Sequence, residues 1–373
     1  MECTFMPPFK TAHDEALTCG QLIVSRGFKY ERHFVTTEDG YILTLYRIIN
    51  PNAQAARGSK LIPVLLVHGI FTSCSSWMIN GFDGFIEPWF DVWIANNRGT
   101  AYSRNHTRLD PDTEFWDFTF SEMGEYDAPA MVDYIIEETG HEKIVWIGYS
   151  EGTTQNFIQL AMNPAAADKF YLNINIEPGA FYGESKGLLT VIPRNRLVFG
   201  TLDDYVGPFS PSLPEFDALL TIATIPCTIE VIKPICIEIY LFGVDRRMID
   251  KKLFQVLTSQ IDTTSTKNLI HYLQSVKYDQ VSKYDYGPEM NQEMYSSDEL
   301  PKYPFENVPT CNLVLIGGLN DYFSDEKDFQ NNRPFIDHVI TYPDWSHTDI
   351  IFGNHAYEYA HSVIVDILRE NLP

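Results

Sequence analysis

The sequence predicts an α/β fold with a mostly parallel, doubly wound sheet, and two patterns support this prediction. Helical patterns alternate with short apolar segments bounded by turn residues, as in folds whose helices cover both faces of a sheet. The segments have the length and the β-branched or aromatic composition of buried strands. They cover residues 41–49, 61–67, 92–96, 144–147, 171–176, 311–316 and 338–342.

The clearest helical pattern lies between the third and the fourth of these segments. Asp127 is the expected N-cap, Pro129 falls in the first turn, and Gly140 follows the last residue. A second pattern closes the chain, where apolar residues between 359 and 368 share one face. Both helices are therefore expected to pack against the sheet.

The alternation stops between residues 184 and 303, where prolines are scattered among helix-like stretches. At 373 residues the chain also exceeds the usual size of a single hydrophobic core. We therefore expect an α/β core formed by residues 1–183 and 304–373, with a mainly helical cap inserted at 184–303.

A serine motif follows the fourth predicted strand, in the run Gly148-Tyr149-Ser150-Glu151-Gly152. A serine between two spaced glycines, after a strand and before a helix, is typical of a nucleophile elbow. That turn holds the serine in a strained backbone conformation, with its Oγ projecting from the edge of the sheet. The pattern predicts that Ser150 is the nucleophile of an ester-cleaving hydrolase.

A serine nucleophile needs a histidine to take its proton and a carboxylate to orient that histidine. On this fold the chain order is serine, acid, histidine. Asp321, in the turn-rich loop after the strand at 311–316, is the preferred acid, and Asp325 is the alternative, although it also suits a helix cap. Among ten histidines, His347 lies in a loop between the last predicted strand and the final helix, so we expect it to be the base.

The oxyanion that forms during acyl transfer needs two backbone N–H donors. One is expected from Glu151, immediately after the serine. The other is expected from Ile70, in the loop after the second predicted strand, where Gly69 allows a close approach of the backbone. His68 in the same loop is predicted to be structural.

Charge and composition limit the partners of the chain. Asp and Glu number 50 against 27 Lys and Arg, and the formal net charge of −23 would repel a phosphate backbone, so no nucleic acid is expected. The acidic balance suits either an acidic compartment or simple solubility. The chain has no HExxH motif and no clustered Cys/His pattern, so we expect no metal or other cofactor. We expect a monomer.

The cysteines and the start of the chain bear on location. The first residues lack the features of a secretory signal, so either a precursor segment is missing or the protein is cytosolic. Cys227 and Cys236 share a short apolar segment and are expected to form a disulfide, whereas Cys311 is expected to be a buried free thiol. The sequon at Asn105 is a glycosylation acceptor only if the chain enters the secretory route.

With these residues placed, the chain resembles the acid lipase family, the α/β-hydrolases that include gastric and lysosomal acid lipases and related sterol ester hydrolases. The resemblance runs nearly from end to end, and its many ordered matches are more specific than the serine motif alone. The matching segments are Arg26-Gly27-Phe28, residues 37–43, His68-Gly69, residues 91–93, Asn97-Arg98-Gly99, Ser103-Arg104, Phe115-Trp116, Glu122-Met123, Tyr126-Asp127, the serine motif, His271-Tyr272 with Gln274, residues 284–287, Asn320-Asp321 with Asp325, and His347 with Asp349.

The resemblance implies a site and a substrate class. Its implied site residues are the triad Ser150, Asp321 and His347, the oxyanion donors Ile70 and Glu151, and a cap disulfide between Cys227 and Cys236. It also implies secretion or lysosomal delivery. The implied activity is hydrolysis of neutral lipid esters, either triacylglycerols or sterol esters, during transient contact with a lipid droplet or membrane surface.

Two residues depart from the family pattern. Members usually carry His before and Gln after the serine, whereas this chain has Tyr149 and Glu151. The backbone donor of residue 151 is unaffected, but a carboxylate beside the oxyanion would oppose the developing negative charge. Activity is therefore expected to depend on whether Glu151 is protonated or turned away.

Two other functions fit parts of the sequence. A carboxylesterase for short, soluble esters would use the same site, and a non-catalytic lipid-binding protein would keep the cap without turnover. The complete order of serine, acid and histidine argues against the second function, since a decayed site would have lost one member.

Overall fold

The computed structural model describes residues 17–52, 60–79, 89–186, 260–325, 327–328, 339–353 and 355–372. In these ranges one sheet contains the strands β1 (Lys29–Thr36), β2 (Tyr41–Ile49), β3 (Ile62–Val67), β4 (Phe90–Ile94), β5 (Asn105–His106), β6 (Ile144–Tyr149), β7 (Phe170–Ile176), β8 (Leu313–Gly318) and β9 (Val339–Tyr342). Their order is β1-β2-β4-β3-β6-β7-β8-β9, with β5 paired to β2. All pairings from β4 to β9 along this order are parallel, and those of β2 are antiparallel. The predicted α/β fold with a mostly parallel sheet is confirmed.

The central parallel strands are buried along their whole length. Every residue of β3, β4 and β6 is buried. Successive side chains point to opposite faces, so Leu65 and Trp146 pack in one hydrophobic core while Leu66 and Ile147 pack in the other. Burial on both faces is the reason that these strands appear in the sequence as continuous apolar runs.

Helices supply the other half of each core. The α-helices are α1 (Cys19–Ser25), α2 (Ser76–Ile79), α3 (Phe120–Glu122), α4 (Ala128–Thr139), α5 (Glu151–Met162), α6 (Thr266–Tyr278), α7 (Pro288–Tyr295), α8 (Asp349–Phe352) and α9 (Ser362–Asn371). Short 3₁₀ turns cover Glu114–Trp116, Pro164–Lys169 and Phe305–Asn307, and π-helical turns cover Met123–Asp127 and Tyr357–His361. The apolar faces of α1 and α9 pack on one side of the sheet, and those of α4 and α5 pack on the other.

The predicted strands agree with the structure to within two residues at each described end. β1 and β5 were not predicted from the sequence. β1 lies at the edge of the sheet, and six of its eight residues are exposed, so it lacks the apolar alternation that marks a half-buried strand.

The helix predicted from Asp127 to Gly140 is confirmed at its end but not at its beginning. Gly140 ends α4 in the left-handed conformation, with φ of +63°. Asp127, however, is the last residue of a π-helical turn that continues directly from α3, and its side chain forms no capping hydrogen bond. The prediction of Asp127 as N-cap is wrong because its carboxylate binds the buried Arg98 instead.

The described disulfide joins Cys19, at the start of α1, to Cys74, just before α2. This disulfide was not predicted from the sequence. Cys311 is free, as predicted, but it is exposed rather than buried because β8 begins only at Leu313. The predicted pair at 227 and 236 lies outside the described residues.

Most of the predicted cap also lies outside the described residues, so its boundaries stay a prediction. Of 184–303, the structure describes 184–186 and 260–303, which include α6 and α7. α6 places Tyr272 and Val276 in the same hydrophobic core as α5. No helix within the described ranges is long and apolar enough to cross a bilayer.

Candidate active site

Ser150 lies at the sharp turn between β6 and α5. Its backbone has φ of +51° and ψ of −111°, which is a strained conformation for a residue with a side chain. Its amide donates to the Ile176 carbonyl at 2.9 Å, so the turn stays attached to β7. A Cβ at Gly152 would lie 2.4 Å from the carbonyl oxygen of Val67, so this close approach requires glycine. These features form the strand-to-helix turn that the motif predicts.

Ser150, His347 and Asp321 meet at the carboxyl ends of β6, β9 and β8. The Oγ of Ser150 lies 2.8 Å from Nε2 of His347. The Nδ1 of His347 lies 2.7 Å from Oδ2 of Asp321. All three side chains are buried. This geometry allows His347 to accept the serine proton while Asp321 holds the other ring nitrogen.

Asp321 is surrounded by donors that favour its charged form. Burial opposes its ionisation, but His347, Glu177 and the Ser324 amide together outweigh burial and hold the pKa of Asp321 below its ordinary value. Its Oδ1 accepts hydrogen bonds from two backbone amides of its own loop, at 2.7 and 2.9 Å. The loop after β8 therefore fixes the carboxylate and leaves Oδ2 for His347.

Asp325, the alternative acid in the sequence, does not join this group. Its carboxylate binds Nζ of Lys186 at 2.6 Å and accepts the Lys327 amide at 3.0 Å. The second contact is of the kind expected for a helix cap, which was the other role considered for Asp325.

The loop after β3 approaches the serine closely. A Cβ added to Gly69 would lie 3.0 Å from the Cβ of Ser150. His68 holds this loop, since its Nδ1 donates to the Gly69 carbonyl at 2.8 Å and its Nε2 accepts the Asn97 amide at 3.0 Å. Burial lowers the pKa of His68 to about 4, so the neutral ring keeps both contacts in mild acid. Ile70, which is predicted to be the second oxyanion donor, follows Gly69 directly in this loop.

Two buried amides bind the side chain of Glu151. Its Oε1 accepts from Nδ2 of Asn268 on α6 at 2.6 Å, and its Oε2 accepts from Nδ2 of Asn97 at 3.1 Å. Burial raises the pKa of Glu151 to about 7, against the lowering effect of these hydrogen bonds. The buried Oδ1 of Asn97 has no partner among the described residues, so a half turn of that amide would let a protonated Glu151 donate to it. The site therefore accommodates both forms of Glu151 near neutral pH.

Three of the family motifs meet in an ion cluster that consists of the buried residues Arg98 and Asp127 and the partly exposed Asp39. Arg98 is fully buried and binds Asp39 through two contacts, at 2.7 and 3.0 Å. Its Nε binds the Asp127 carboxylate at 2.9 and 3.0 Å. The guanidinium carbon also lies 3.8 Å from the ring centroid of Tyr41. Because Arg98 follows Asn97, this cluster anchors the loop that contacts Glu151.

A further buried carboxyl group, that of Glu177, lies at the end of β7 beside Asp321. One polar atom from each of Glu177, Asp321 and His347 lies within 4.8 Å of the other two, which is close enough for a metal ion to be considered. The direct hydrogen bond between His347 and Asp321 already uses Nδ1 and Oδ2, however. The arrangement suits proton transfer better than metal binding.

Aromatic and polar contacts hold the loop of His347. The ring centroids of Tyr149 and Phe323 each lie 5.6 Å from that of His347. The Tyr149 hydroxyl also donates to the His347 carbonyl at 3.2 Å. Asp349 accepts the amide and the hydroxyl of Ser346 at 2.8 and 2.7 Å, which closes the turn around the histidine.

Three residues of this site, namely Glu177, Asn97 and Asn268, were not predicted from the sequence. For Glu177 the available signal was an acid directly after a predicted strand, which is the same signal that selected Asp321. The two asparagines gave no signal of a shared role, because they reach Glu151 from segments that are distant in the sequence.

The sequence and the fold are similar to those of known proteins. Residues 19–81 match a family model described as the partial alpha/beta-hydrolase lipase region, and residues 62–186 match the alpha/beta hydrolase fold. Human lipase member K is 32% identical over 97% of this chain and 93% of its own length. Human lysosomal acid lipase/cholesteryl ester hydrolase is 30% identical over 95% of this chain and 91% of its own length. Mouse gastric triacylglycerol lipase is 29% identical over 95% and 92%.

Solved structures show the same fold at lower identity. A putative aryl esterase from Burkholderia cenocepacia has a TM-score of 0.51 and 15% identity, covering 92% of this chain and 99% of its own. A thermophilic esterase from Thermogutta terrifontis has a TM-score of 0.51 and 16% identity, covering 92% and 100%. At such identity the likeness concerns the fold alone.

Proposed function

Since the chain belongs to the acid lipase family of α/β-hydrolases and hydrolyses lipid esters, we propose that Ser150, His347 and Asp321 form its catalytic triad. The observation that carries this proposal is the pair of short hydrogen bonds that runs from Ser150 through His347 to Asp321. The three residues lie far apart in the chain, and their hydrogen bonds have the order of donor and acceptor that a serine hydrolase triad requires.

Acylation uses both ring nitrogens of His347. Its Nε2 accepts the proton of Ser150 as Oγ attacks the ester carbonyl, and its Nδ1 donates to Asp321, which stabilises the imidazolium that forms. The imidazolium then gives the proton to the departing alcohol. Water repeats the sequence on the acyl-enzyme and releases the fatty acid.

The oxyanion is stabilised by backbone donors. The amide of Glu151 lies in the first turn of α5, where N–H groups lack intrahelical acceptors and the helix dipole is positive. The close contact between Gly69 and Ser150 supports Ile70 as the second donor. The contacts of Glu151 with Asn97 and Asn268 keep its carboxyl engaged with amides near this charge.

The substrates proposed are neutral lipid esters, either triacylglycerols or sterol esters. The printed names of two relatives, gastric triacylglycerol lipase and lysosomal acid lipase/cholesteryl ester hydrolase, support this substrate class. The rings of Tyr149 and Phe323 beside His347 give the centre an apolar border. We also propose that the enzyme acts as a monomer that contacts a lipid droplet or membrane surface transiently.

A serine-reactive fluorophosphonate and a lipid assay test the proposal together. The native chain is expected to be labelled and to release fatty acid from a triacylglycerol or a cholesteryl ester, whereas Ser150→Ala loses labelling and at least about 10³-fold in kcat. Ser121→Ala, at a buried serine on α3, is the matched control and keeps both. A native chain that resists labelling at every pH would favour the lipid-binding alternative.

The dependence of the rate on acyl-chain length distinguishes a lipase from a carboxylesterase for short, soluble esters. We expect rates to hold or rise from short-chain to long-chain esters. A sharp fall at long chain length would favour a carboxylesterase for soluble substrates.

We propose secretion or lysosomal delivery as the location. The Cys19–Cys74 disulfide supports an oxidising route, and Asn105 of the sequon is exposed on β5. In cells that express the protein, Cys19 and Cys74 are expected to be oxidised and Asn105 to carry a glycan that peptide N-glycosidase removes. Reduced cysteines together with an unmodified Asn105 would contradict this location.

A further inference from the structure

Glu177 is a buried acid that has no role in the proposed catalytic mechanism. It follows β7 directly, just as Asp321 lies in the loop after β8, and these two strands pair in parallel. The exposed fraction of Glu177 is 0% and that of Asp321 is 1%. The paired strands therefore bring two carboxyl groups together inside the protein, where two negative charges would repel each other strongly.

The surroundings of Glu177 supply too few donors for a carboxylate. Its Oε1 accepts the Gly318 amide at 3.0 Å, whereas its buried Oε2 has no donor among the described residues. Cβ atoms added to Gly317 and Gly318 would lie 3.4 and 3.3 Å from the two carboxyl oxygens, so the glycines leave just enough room for this side chain. A buried oxygen that accepts no hydrogen bond raises the free energy of the folded state, unless the oxygen carries a proton and donates a hydrogen bond itself.

The ionisable groups that face Glu177 come from four neighbouring elements. They are Asp321 and His347 beyond β8 and β9, Asp349 at the start of α8, and Tyr149 at the end of β6. Burial and then the Asp321 carboxylate raise the pKa of Glu177 well above its ordinary value. Glu177 is therefore a neutral carboxylic acid with one O–H to donate.

The backbone holds Glu177 in place at some cost in strain. Its φ of +49° is unusual for a residue with a side chain, and its amide donates to the Ile316 carbonyl at 2.7 Å. Strain of this kind persists where the surrounding structure imposes it, which is common at functional sites. A positive φ also occurs at Ser150, directly after the neighbouring strand β6.

We propose that Glu177 is a positioning residue whose neutral carboxyl donates a hydrogen bond to Asp321 and so limits how strongly Asp321 stabilises the protonated ring of His347. This inference rests on the proposed function, because it assigns Glu177 a role within that triad. The hydrogen bond draws part of the negative charge of Asp321 away from His347. His347 is then available as a base at lower pH than it would be beside an unshared carboxylate.

The experiment measures the rate at which a fluorophosphonate labels Ser150 as the pH falls, because this rate requires His347 as a free base and no known substrate. Measurements stay below pH 7, where Glu151 is largely protonated. Glu177→Gln keeps an N–H donor toward Asp321 and an acceptor for Gly318. Glu177→Met and Glu177→Ala remove the donor, and the two variants guard against loss of folding in one of them.

In a plot of labelling rate against pH, the acid limb is the range over which the rate falls as the pH decreases. In Glu177→Met and Glu177→Ala this limb is expected to lie at higher pH than in the native chain, by on the order of one pH unit. In Glu177→Gln the acid limb is expected to lie within about 0.3 pH units of that of the native chain. Asp328→Asn, which removes another buried acid that binds the Glu184 amide, is the control and leaves the limb in place.

An acid limb that does not move in folded Glu177→Met or Glu177→Ala would overturn the inference, and so would an equal displacement in Glu177→Gln. These outcomes differ from failure of the proposed function, in which the native chain itself is not labelled at Ser150.

Discussion

Two groups of ionisable residues lie at the carboxyl edge of the sheet, and they differ in the basic side chain that faces the acids. In the ion cluster, Arg98 binds Asp39 and Asp127. In the second group, which we call the acid cluster, Asp321 and Glu177 have the His347 ring as their basic partner among the facing residues described.

This difference in the basic side chain suits the ion cluster to a structural role and the acid cluster to proton transfer. A guanidinium stays protonated throughout the physiological range, so the charge of the ion cluster is fixed and the cluster joins three distant segments of the chain. An imidazole gains and loses a proton in that range, so the acid cluster changes charge during a reaction. We therefore expect disruption of the ion cluster to reduce stability and disruption of the acid cluster to reduce turnover.

The largest expected effect is on catalysis in the acid cluster. Asp321→Asn removes the carboxylate that orients His347 and stabilises its protonated ring, so kcat is expected to fall on the order of 10⁴-fold. Steady-state kinetics with an ester substrate and urea unfolding measure the two consequences. If the free energy of unfolding fell by several kcal/mol while kcat stayed within tenfold, as an order of magnitude, the division between the clusters would be wrong.

The next effect is on stability in the ion cluster. Arg98→Met leaves Asp127 buried without its cation, and the free energy of unfolding is expected to fall by about 3–5 kcal/mol. Urea unfolding checks the loss, and kcat per phosphonate-labelled site is expected to stay within about tenfold. Adding Asp127→Asn to Arg98→Met is expected to recover part of the lost stability, because it removes the unpaired charge. No recovery would mean that packing by Arg98, not charge pairing, provides the stability.

Glu151 lies between the two clusters and is expected to make both stability and activity depend on pH. Its pKa rises from 4.5 to about 7 on burial, so the folded state binds the proton more tightly than the unfolded state. The resulting stability is fully present below about pH 4.5 and is lost as the pH rises through about 7, amounting to about 3 kcal/mol. Urea unfolding at several pH values is expected to show this slope in the native chain and not in Glu151→Gln.

Activity is expected to follow the same titration. Ionised Glu151 opposes the oxyanion, so kcat of the native chain falls as the pH rises through about 7, and Glu151→Gln loses that fall. A pH–rate profile that is the same in both proteins would show that the amide contacts of Glu151 already shield the oxyanion.

The smallest effect is expected at Tyr149. Tyr149→Phe removes the hydroxyl that donates to the His347 carbonyl at 3.2 Å, so we expect a loss of about 1 kcal/mol in stability and a decrease of a few-fold in kcat. Tyr102→Phe is the matched control, because its hydroxyl accepts the Cys19 amide on α1. Equal losses of kcat in both variants would indicate a general loss of packing.

Patterns within a short stretch of chain were sufficient for much of the fold. The parallel strands are buried on both faces, so each is a continuous apolar run that can be read without knowing its neighbours. β1 was not predicted because it is an exposed edge strand and has no continuous apolar run. Asp127 was assigned as a cap because the local pattern does not include Arg98, which lies 29 residues earlier in the chain.

The sequence by itself determined seven of the nine described strands, the helix that ends at Gly140, the strained serine turn, and the order of serine, acid and histidine along the chain, because each depends on neighbouring residues or on chain order. Only the tertiary structure decided that Glu177 lies against Asp321, that Asn97 and Asn268 both bind Glu151, and that Cys19 pairs with Cys74. The physical reason is that hydrogen bonds and ion pairs act over a few ångströms in space, while the partners are separated by tens to hundreds of residues along the chain.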